Sequence, residues 1–322
     1  MNFTVTSSPH IRNKVNTKQI MFDVVLALLP ALLAGIWHFG IRALFVSMVC
    51  VVSALAAEWL CGILIYKHNT VMNGSAIVTG LLLALTLPAA VPYGVAALGS
   101  IFAVLVIKGL CGGLGKNIFN PALAGRALLV LVYPAYLVRY TAPKTELSLF
   151  SSNVDAIASS TPLHHMQMPA LPEESLLTMF MGNIGGTIGE TCTLALLLGG
   201  AYLVYKKVIS LRIPMAYLGT VAALTMVFSK GENPILWMLY SVLGGGVVLG
   251  AIFMATDYAT SPVTPKGQIF YGIGCGIFTV IFRYFGLFPE GVTYAILLMN
   301  AMVWIFDFYT APRRFGTQKG DK

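Results

Sequence analysis

The amino-acid sequence predicts an all-α protein that crosses a membrane with about ten helices, arranged as two inverted five-helix repeats. Of its 322 residues, 57% are hydrophobic and 10% are charged, whereas an ordinary soluble domain has roughly 25% charged residues. Ten apolar segments approach the length of about 20 residues that a spanning helix requires. A glycine-rich pattern also recurs at a fixed distance along the chain. These features exclude a soluble enzyme and give no indication of a nucleic-acid partner.

The apolar segments give the expected order of the helices. They cover residues 20–40, 43–66, 70–88, 93–114, 120–138, 188–205, 212–229, 234–256, 268–288 and 292–311. The polar stretches between and beyond them set the expected domain boundaries. The predicted parts are an N-terminal tail (1–19), a first repeat (20–138), a loop (139–186), a second repeat (187–311) and a C-terminal tail (312–322).

The distribution of basic residues predicts the orientation of the chain, because cytoplasmic loops of membrane proteins carry an excess of Lys and Arg. With the N-terminus inside, thirteen of the twenty basic residues lie on the cytoplasmic side, four lie outside and three fall within spans. The thirteen are Arg12, Lys14, Lys18, Lys67, Lys116, Lys206, Lys207, Arg212, Lys266, Arg313, Arg314, Lys319 and Lys322. We therefore expect both termini to be cytoplasmic and the 139–186 loop to lie outside.

An internal repeat relates the two halves of the chain. The segments GSAIVTGLLLALT (74–86) and GGGVVLGAIFMAT (244–256) align without gaps, and the same offset places Pro92 on Pro262. Because each half has an odd number of crossings, the two halves must have opposite orientations. Inverted repeats with glycine-interrupted helices are common in transporters, where substrate sites lie near the middle of the bilayer.

Several charged residues fall within or at the ends of the predicted spans. They are Asp23, Glu58, Lys108, Arg126, Glu190, Asp257, Arg283 and Asp307. A charge at the bilayer centre costs at least about 2.5–3.5 kcal/mol, and such residues are usually paired or functional. We expect ion pairs among them, and the deeper Glu58 and Asp257 are candidates for an ion path. The sequence predicts no metal site, since the His164–His165 pair has no third ligand in view.

The outer loop contains the motif DAIASSTPL (155–163). It resembles the D-x-x-[ST]-G-[AS]-T signal at which flavin transferases attach FMN, through a phosphoester, to the last threonine. In this chain that threonine is Thr161, preceded by Asp155, Ser159 and Ser160. The motif departs from the common form at Ala158 and Ser159, and the following Pro-Leu agrees with the variant found in membrane proteins of this kind.

Four longer motifs extend this resemblance over nearly the whole chain. They are GGLGKNIFNPALAGRA (112–127), GNIGGTIGETCTLALLLGG (182–200), TDYATSPVTPKGQ (256–268) and FPEGVTYAILLMN (288–300). They resemble the RnfD/NqrB family, which contains a membrane component of the Rnf complex and one of the sodium-pumping NADH:quinone oxidoreductase. The Asn120-Pro121 pair in the first motif predicts a helix start, with Asn as the N-cap and Pro in the first turn.

The family resemblance implies a membrane component of an ion-translocating ferredoxin:NAD⁺ oxidoreductase in the bacterial plasma membrane. It implies covalent FMN on Thr161, a second non-covalent flavin (riboflavin or FMN), and electron transfer coupled to Na⁺ or H⁺ movement. The implied partners are the other Rnf proteins (RnfA, RnfB, RnfC, RnfE and RnfG), especially the FMN-bearing RnfG, a flavin transferase and the lipid bilayer. The sequence offers no residue for a catalytic role of its own.

The GGTIGETCT segment (185–193) offers further candidates. Thr187, Thr191 and Thr193 are rival attachment sites, but none has the Asp of the transferase motif six residues before it. Thr187 and Glu190 are candidates for a second flavin site or an ion path, with the backbone amides of this turn as donors to a flavin. Two other functions stay open: a solute channel or transporter without a redox cofactor, and a passive scaffold for other membrane proteins.

Overall fold

The structure, a computed structural model of the chain, describes residues 16–67, 70–145, 147, 149, 172, 174–231, 233–286 and 291–312. This part of the chain is helical. An isolated antiparallel bridge joins Thr141 to Gly186, and the described residues form no strand. The prediction of an all-α protein is confirmed for them.

The first half of the chain has two long helices followed by shorter ones. Helix α1 is Thr17–Phe39, α2 is Ile41–Cys61, α3 is Ser75–Leu85, α4 is Tyr93–Ile101, α5 is Pro121–Val132 and α6 is Pro134–Leu137. Helix α2 continues as a π-helical segment, Gly62–Tyr66, and α4 continues as another, Phe102–Gly109.

The second half contains α7 (Leu176–Met181), α8 (Thr193–Tyr205), α9 (Arg212–Val227), α10 (Pro234–Leu243), α11 (Val247–Leu249), α12 (Pro265–Phe285), α13 (Val292–Ala301) and α14 (Val303–Thr310). Helix α11 continues as the π-helical segment Gly250–Met254. The axis bends by 61° between α10 and this continued α11, and by 51° between α13 and α14.

Short polar signals fix where several helices begin. The Asn120 side chain accepts hydrogen bonds from the amides of Ala122 and Leu123, and Pro121 occupies the first turn of α5. This confirms the helix start predicted from the Asn-Pro pair. Asn233 before Pro234 and Thr264 before Pro265 start α10 and α12 in the same way, because the capping oxygen binds amides that have no partner within the helix.

The lengths and apolar surfaces of the helices indicate a membrane protein. Among the described residues, α1, the extended α2 and α12 are long and apolar enough to cross a bilayer. Each of the two bent pairs would add one more span. Large apolar side chains such as Trp37, Phe285 and Trp304 have 70–86% of their surface exposed. Lipid rather than water suits so many exposed apolar side chains.

Five of the predicted spans are shorter in the structure than in the sequence prediction. Helices α3, the extended α4, α5, α8 and α9 have 10–17 residues. In the predicted span 70–88, only the eleven residues of α3 are α-helical, because Gly74 has a positive φ of 77° and breaks the chain there. The prediction of ten full spans therefore stays a prediction.

Glycine allows the two halves to approach one another closely. Helix α1 packs against α8, and the Gly199 Cα lies so near the carbonyl oxygen of Ala27 that a β-carbon would overlap it. Gly35 on α1 leaves similar room for Ile188. Helix α5 contacts α13 in a second junction between the halves. The loop before α8 is therefore held deep inside the helical body.

Candidate functional site

The predicted flavin attachment motif, with Asp155, Ser159, Ser160 and Thr161, lies outside the described residues. Several contacts between its loop and the helical body are described, among them the Tyr93 hydroxyl donating to the Leu149 carbonyl over 2.9 Å, and two involve the start of the loop. At the first, Thr141 pairs with Gly186. At the second, the Lys144 amide donates to the carbonyl oxygen of His38 over 2.6 Å. The loop is thus attached beside the GGTIGETCT segment.

A buried ion pair lies next to this attachment point. Arg126 on α5 donates from Nη1 to Glu190 Oε1 over 2.9 Å, and the two side chains are 7% and 9% exposed. The Glu190 carboxylate contacts Gly246, where a β-carbon would collide with it. Gly246 has a φ of 67°, a left-handed conformation that favours glycine. Because this residue is glycine, the bend between α10 and α11 has no side chain at the point that faces Glu190. Burial raises the pKa of the neighbouring Tyr140 phenol. The positive charge of Arg126 lowers this pKa, and the negative charge of Glu190 raises it further.

Arg283 on α12 stabilises the same bend. Its Nη1 donates to the Ser241 carbonyl over 2.5 Å, and its Nη2 donates to the carbonyls of Gly244 and Gly245 over 2.9 and 3.2 Å. A broken helix leaves carbonyl groups without their helical partners. Arg283 supplies these partners from its two Nη atoms, while its buried Nε has no partner in the described part of the chain. Among these residues the in-span charge is therefore bound by carbonyl groups of the bend rather than by an acid.

Three buried threonine hydroxyls surround Glu190 in the sequence. Thr187, Thr191 and Thr193 are at most 2% exposed, and their hydroxyls have no hydrogen-bond partner among the described residues. An unsatisfied buried polar group costs about 1–3 kcal/mol. Three of them within seven residues indicate a place where a polar ligand, water or another segment supplies the missing partners.

The backbone of this segment is used within the protein. The Ile188 amide donates to the Leu87 carbonyl over 3.0 Å, and the Gly189 amide donates to the Leu85 carbonyl over 2.8 Å. These two amides are therefore not available to a flavin, and the expectation that this turn offers its backbone donors is wrong at both positions. Helix α8 begins only at Thr193, so the turn precedes the helix and the hydroxyls are the groups left open.

A second buried ion pair lies among α2, α3 and the extended α4. Lys108 Nζ lies 2.8 Å from Glu58 Oε2 and 2.7 Å from Ser75 Oγ. The other carboxylate oxygen, Glu58 Oε1, accepts a hydrogen bond from Thr70 over 2.7 Å. Both charged side chains are at most 3% exposed. The predicted pairing of in-span charges is thus confirmed here, and Glu58 is a paired carboxylate.

A cavity of about 80 Å³ separates this pair from Asp257. Ser75 and Lys108 line one part of it, and Asp257 lines another. Asn117 and Asn120 also line it, and the buried Oδ1 of Asn117 has no partner among the described residues. The half-buried Asp257 accepts a hydrogen bond from Thr260 over 3.1 Å. A space of this size holds several water molecules, and the Asp257 carboxylate and the Lys108 ammonium face the same small cavity, whose lining is otherwise mainly apolar.

Sequence reasoning did not find the partners of these groups. Glu58 and Lys108 are 50 residues apart, and Arg126 and Glu190 are 64 apart. No local pattern links residues at such distances. The cost of a lone charge in the membrane predicted that partners exist, but only the folded chain identifies them. Asn117 carried no signal beyond its place in a family motif.

These features define a class of protein: a helical membrane protein with buried charge pairs at a helix bend and beside a small internal cavity. The model of the NQR2, RnfD, RnfE family matches residues 4–316, and the chain belongs to that family. It is 44% identical to the D subunit of the Na⁺-translocating ferredoxin:NAD⁺ oxidoreductase complex of Acetobacterium woodii, over 99% of this chain and 97% of the relative.

Two further relatives match over a similar length. The D subunit of the proton-translocating ferredoxin:NAD⁺ oxidoreductase complex of Clostridium ljungdahlii is 41% identical over 98% of this chain and 97% of its own. The D subunit of the ion-translocating oxidoreductase complex of Stutzerimonas stutzeri is 36% identical over 95% of this chain and 93% of its own. The names of the first two relatives give different ions, so similarity at this level does not identify the ion.

Proposed function

We propose that this chain is the RnfD component of an Rnf-type ion-translocating ferredoxin:NAD⁺ oxidoreductase and that it carries FMN on Thr161. The similarity to components of such complexes over nearly the full length of the chain is the observation that supports this best. The other Rnf proteins are then its partners, with the FMN-bearing RnfG as the expected electron donor or acceptor outside the membrane. A flavin transferase is required for maturation.

The inverted repeat belongs to this proposal, and the helix positions support it. Shifted by the 170-residue offset, the first residues of α2, α3, α4 and α5 become 211, 245, 263 and 291. The observed starts of α9, α11, α12 and α13 are 212, 247, 265 and 292. These four starts agree within two residues, whereas the start of α1 becomes 187 and α8 begins at Thr193. The four agreements, together with the α1–α8 and α5–α13 contacts, favour two structurally related halves over a chance likeness of glycine-rich helices.

The Thr187–Glu190 region is the site that we propose for the second, non-covalent flavin. A bound flavin supplies one- and two-electron chemistry, and the protein contributes position and electrostatics. The open hydroxyls of Thr187, Thr191 and Thr193 fit the polar edge of such a ring, since they lack partners among the described residues. Arg126 and Glu190 would set the local charge. The side chains of this site would thus orient the ring beside the attachment point of the outer loop.

Ion movement is proposed to involve Glu58 and Asp257. The cavity lined by Asp257 and by Lys108, the partner of Glu58, supports this, because a hydrated cation passing through the protein needs room for water and carboxylate or hydroxyl oxygens. Lys108 neutralises Glu58 in the present arrangement. An entering cation would therefore compete with the Lys108 ammonium for the Glu58 carboxylate. We propose the Glu58–Lys108 pair as the place where ion entry is coupled to electron transfer.

The proposed function is tested by producing the chain with and without a flavin transferase and viewing a denaturing gel under ultraviolet light. We expect a fluorescent band at the mass of this chain only when the transferase is present, because only a covalent bond survives unfolding. A dark band in both samples would contradict the covalent cofactor and favour the channel or scaffold function.

The non-covalent site is tested by replacing Thr187 with valine. Valine keeps the shape of threonine but lacks the hydroxyl, so the flavin-free variant should unfold at the same temperature as the flavin-free parent or a higher one, because a buried unsatisfied group is removed there. The amount of flavin released by acid denaturation should fall several-fold. Thr220→Val is the control, since the Thr220 hydroxyl already bonds within its helix to Ala216. Equal release of flavin from both variants would contradict this placement.

A further inference from the structure

A groove of about 1330 Å³ opens at the N-terminal end of α1, beside the C-terminal end of α8 and the start of α3. Its walls are mainly apolar and include Phe22, Val25, Leu55, Met72 and Ile77. This volume exceeds the roughly 300–1,000 Å³ of an ordinary small-molecule pocket. The shape suits a long amphiphile better than a compact solute.

The groove reaches from the edge of the membrane into its apolar region. Helix α1 is a candidate span that begins at Thr17. Val25 lies eight residues further on, and at 1.5 Å per residue this corresponds to a depth of about 12 Å. Leu55 lies eleven residues before the end of the extended α2 at Tyr66, or about 16 Å along that helix. An occupant must therefore be apolar over most of its length.

Three exposed lysines lie at the entrance of the groove: Lys18, Lys206 and Lys207. The acid among the lining residues is Asp23, which accepts a hydrogen bond from Tyr202 over 2.7 Å and lies 3.9 Å from Lys206 Nζ. Lys18 and Lys207 have no ion pair among the described residues. Lys207 adopts a φ of 57°, a left-handed conformation that glycine usually provides at a helix end. The entrance thus carries a net positive charge at the level of lipid headgroups.

The chain termini do not suit this entrance. Residues 1–15 contain Arg12 and Lys14 and no acid, and residues 313–322 contain four basic residues and one acid. Both tails have the same sign of charge as the lysines and would be repelled by them. The complementary occupant has a negatively charged head and an apolar body that extends at least about 12–16 Å along the helices.

From this combination we infer that the groove binds one anionic phospholipid. Its phosphate lies among Lys18, Lys206 and Lys207, and an acyl chain follows Phe22, Val25 and Leu55 between α1 and α2. Basic residues at the membrane surface attract anionic lipids by electrostatics, and burial of the acyl chain adds apolar contact area. The site is independent of the flavin and of the proposed electron transfer.

Native mass spectrometry of the purified full-length chain, with phosphatidylglycerol or phosphatidylcholine added in detergent, tests this inference. We expect one phosphatidylglycerol to stay bound at concentrations where phosphatidylcholine does not. The triple variant K18Q/K206Q/K207Q should bind it about 100-fold more weakly, or roughly fivefold for each lysine. The control K67Q/K116Q/K266Q removes three exposed lysines outside the groove, including Lys67 in the same left-handed conformation as Lys207. This control should retain wild-type binding.

A second variant tests the apolar part of the site without changing any charge. Leu55→Trp fills the inner end of the groove and should weaken phosphatidylglycerol binding at least tenfold. Glycerol 3-phosphate should not compete, because it lacks the acyl chain. Any one of four results would overturn the inference. These are equal losses of binding in the two lysine variants, equal binding of phosphatidylcholine and phosphatidylglycerol, competition by glycerol 3-phosphate, and unchanged phosphatidylglycerol binding by Leu55→Trp.

Discussion

Replacing Thr161 with alanine is expected to remove the covalent flavin and to abolish ferredoxin-dependent NAD⁺ reduction by the assembled complex. The hydroxyl of Thr161 is the proposed ester oxygen, and alanine has no atom that could form this bond. The chain should still reach the membrane in normal amounts, because the substitution removes only one hydroxyl and one methyl group from a loop. In-gel fluorescence measures the covalent flavin, and NADH formation by membrane vesicles measures the activity of the complex. The amount of the chain in the membrane fraction shows whether it still reaches the membrane.

The rival threonines provide the control for this experiment. Thr191→Ala removes a hydroxyl from the GGTIGETCT segment and should leave the fluorescent band unchanged. If Thr161→Ala stays fluorescent and Thr191→Ala does not, the attachment site has been assigned to the wrong threonine. If a non-fluorescent Thr161→Ala complex still forms NADH, the covalent flavin is not required for electron transfer to NAD⁺.

Replacing Lys108 with methionine is expected to reduce the amount of folded protein sharply. Methionine fills most of the same space but leaves the buried Glu58 carboxylate without its cation. Loss of one partner of a buried pair costs about 3–5 kcal/mol, which is a large part of the stability of an ordinary domain. Thermal unfolding of the purified protein in detergent measures the change. Lys266→Met is the control, because that lysine is exposed and has no ion pair among the described residues.

The double variant E58Q/K108M separates stability from ion movement. It removes both charges, so the unfolding temperature should recover most of the loss seen in K108M. If Glu58 lies on the ion path, the complex with this double variant should no longer accumulate ions in inverted vesicles. Recovery of both stability and ion uptake would show that the pair has a structural role only.

The class of the fold was predictable from the sequence, for physical reasons that apply locally. The scarcity of charge and the apolar segments identify a membrane protein because the bilayer leaves few alternatives. Asn120 and Pro121 predicted the start of α5 because capping depends on neighbouring residues. The length of α3 was not predictable from hydropathy, since Val71 and Met72 before Gly74 are apolar too and the left-handed backbone at Gly74 makes the helix begin only at Ser75.

The candidate site was predictable only in part. The cost of burying Lys108 and Arg126 predicted that acids would neutralise them, but their partners come from helices far apart in the sequence. The sequence also could not show that the Ile188 and Gly189 amides are used by Leu87 and Leu85, because this depends on how the loop enters the helical body. The lipid groove has no local motif, since its lysines come from two helix ends brought together by packing.

The central claim of this account is that one threonine of the outer loop carries FMN. Trypsin should release residues 145–206 as one peptide, because no Lys or Arg lies between Lys144 and Lys206. Further cleavage after Glu173 or Glu174 separates Thr161 from Thr187, Thr191 and Thr193. A tandem mass spectrum of protein produced with its transferase should show the mass of FMN less one water on Thr161. An unmodified Thr161 in that sample would contradict the account.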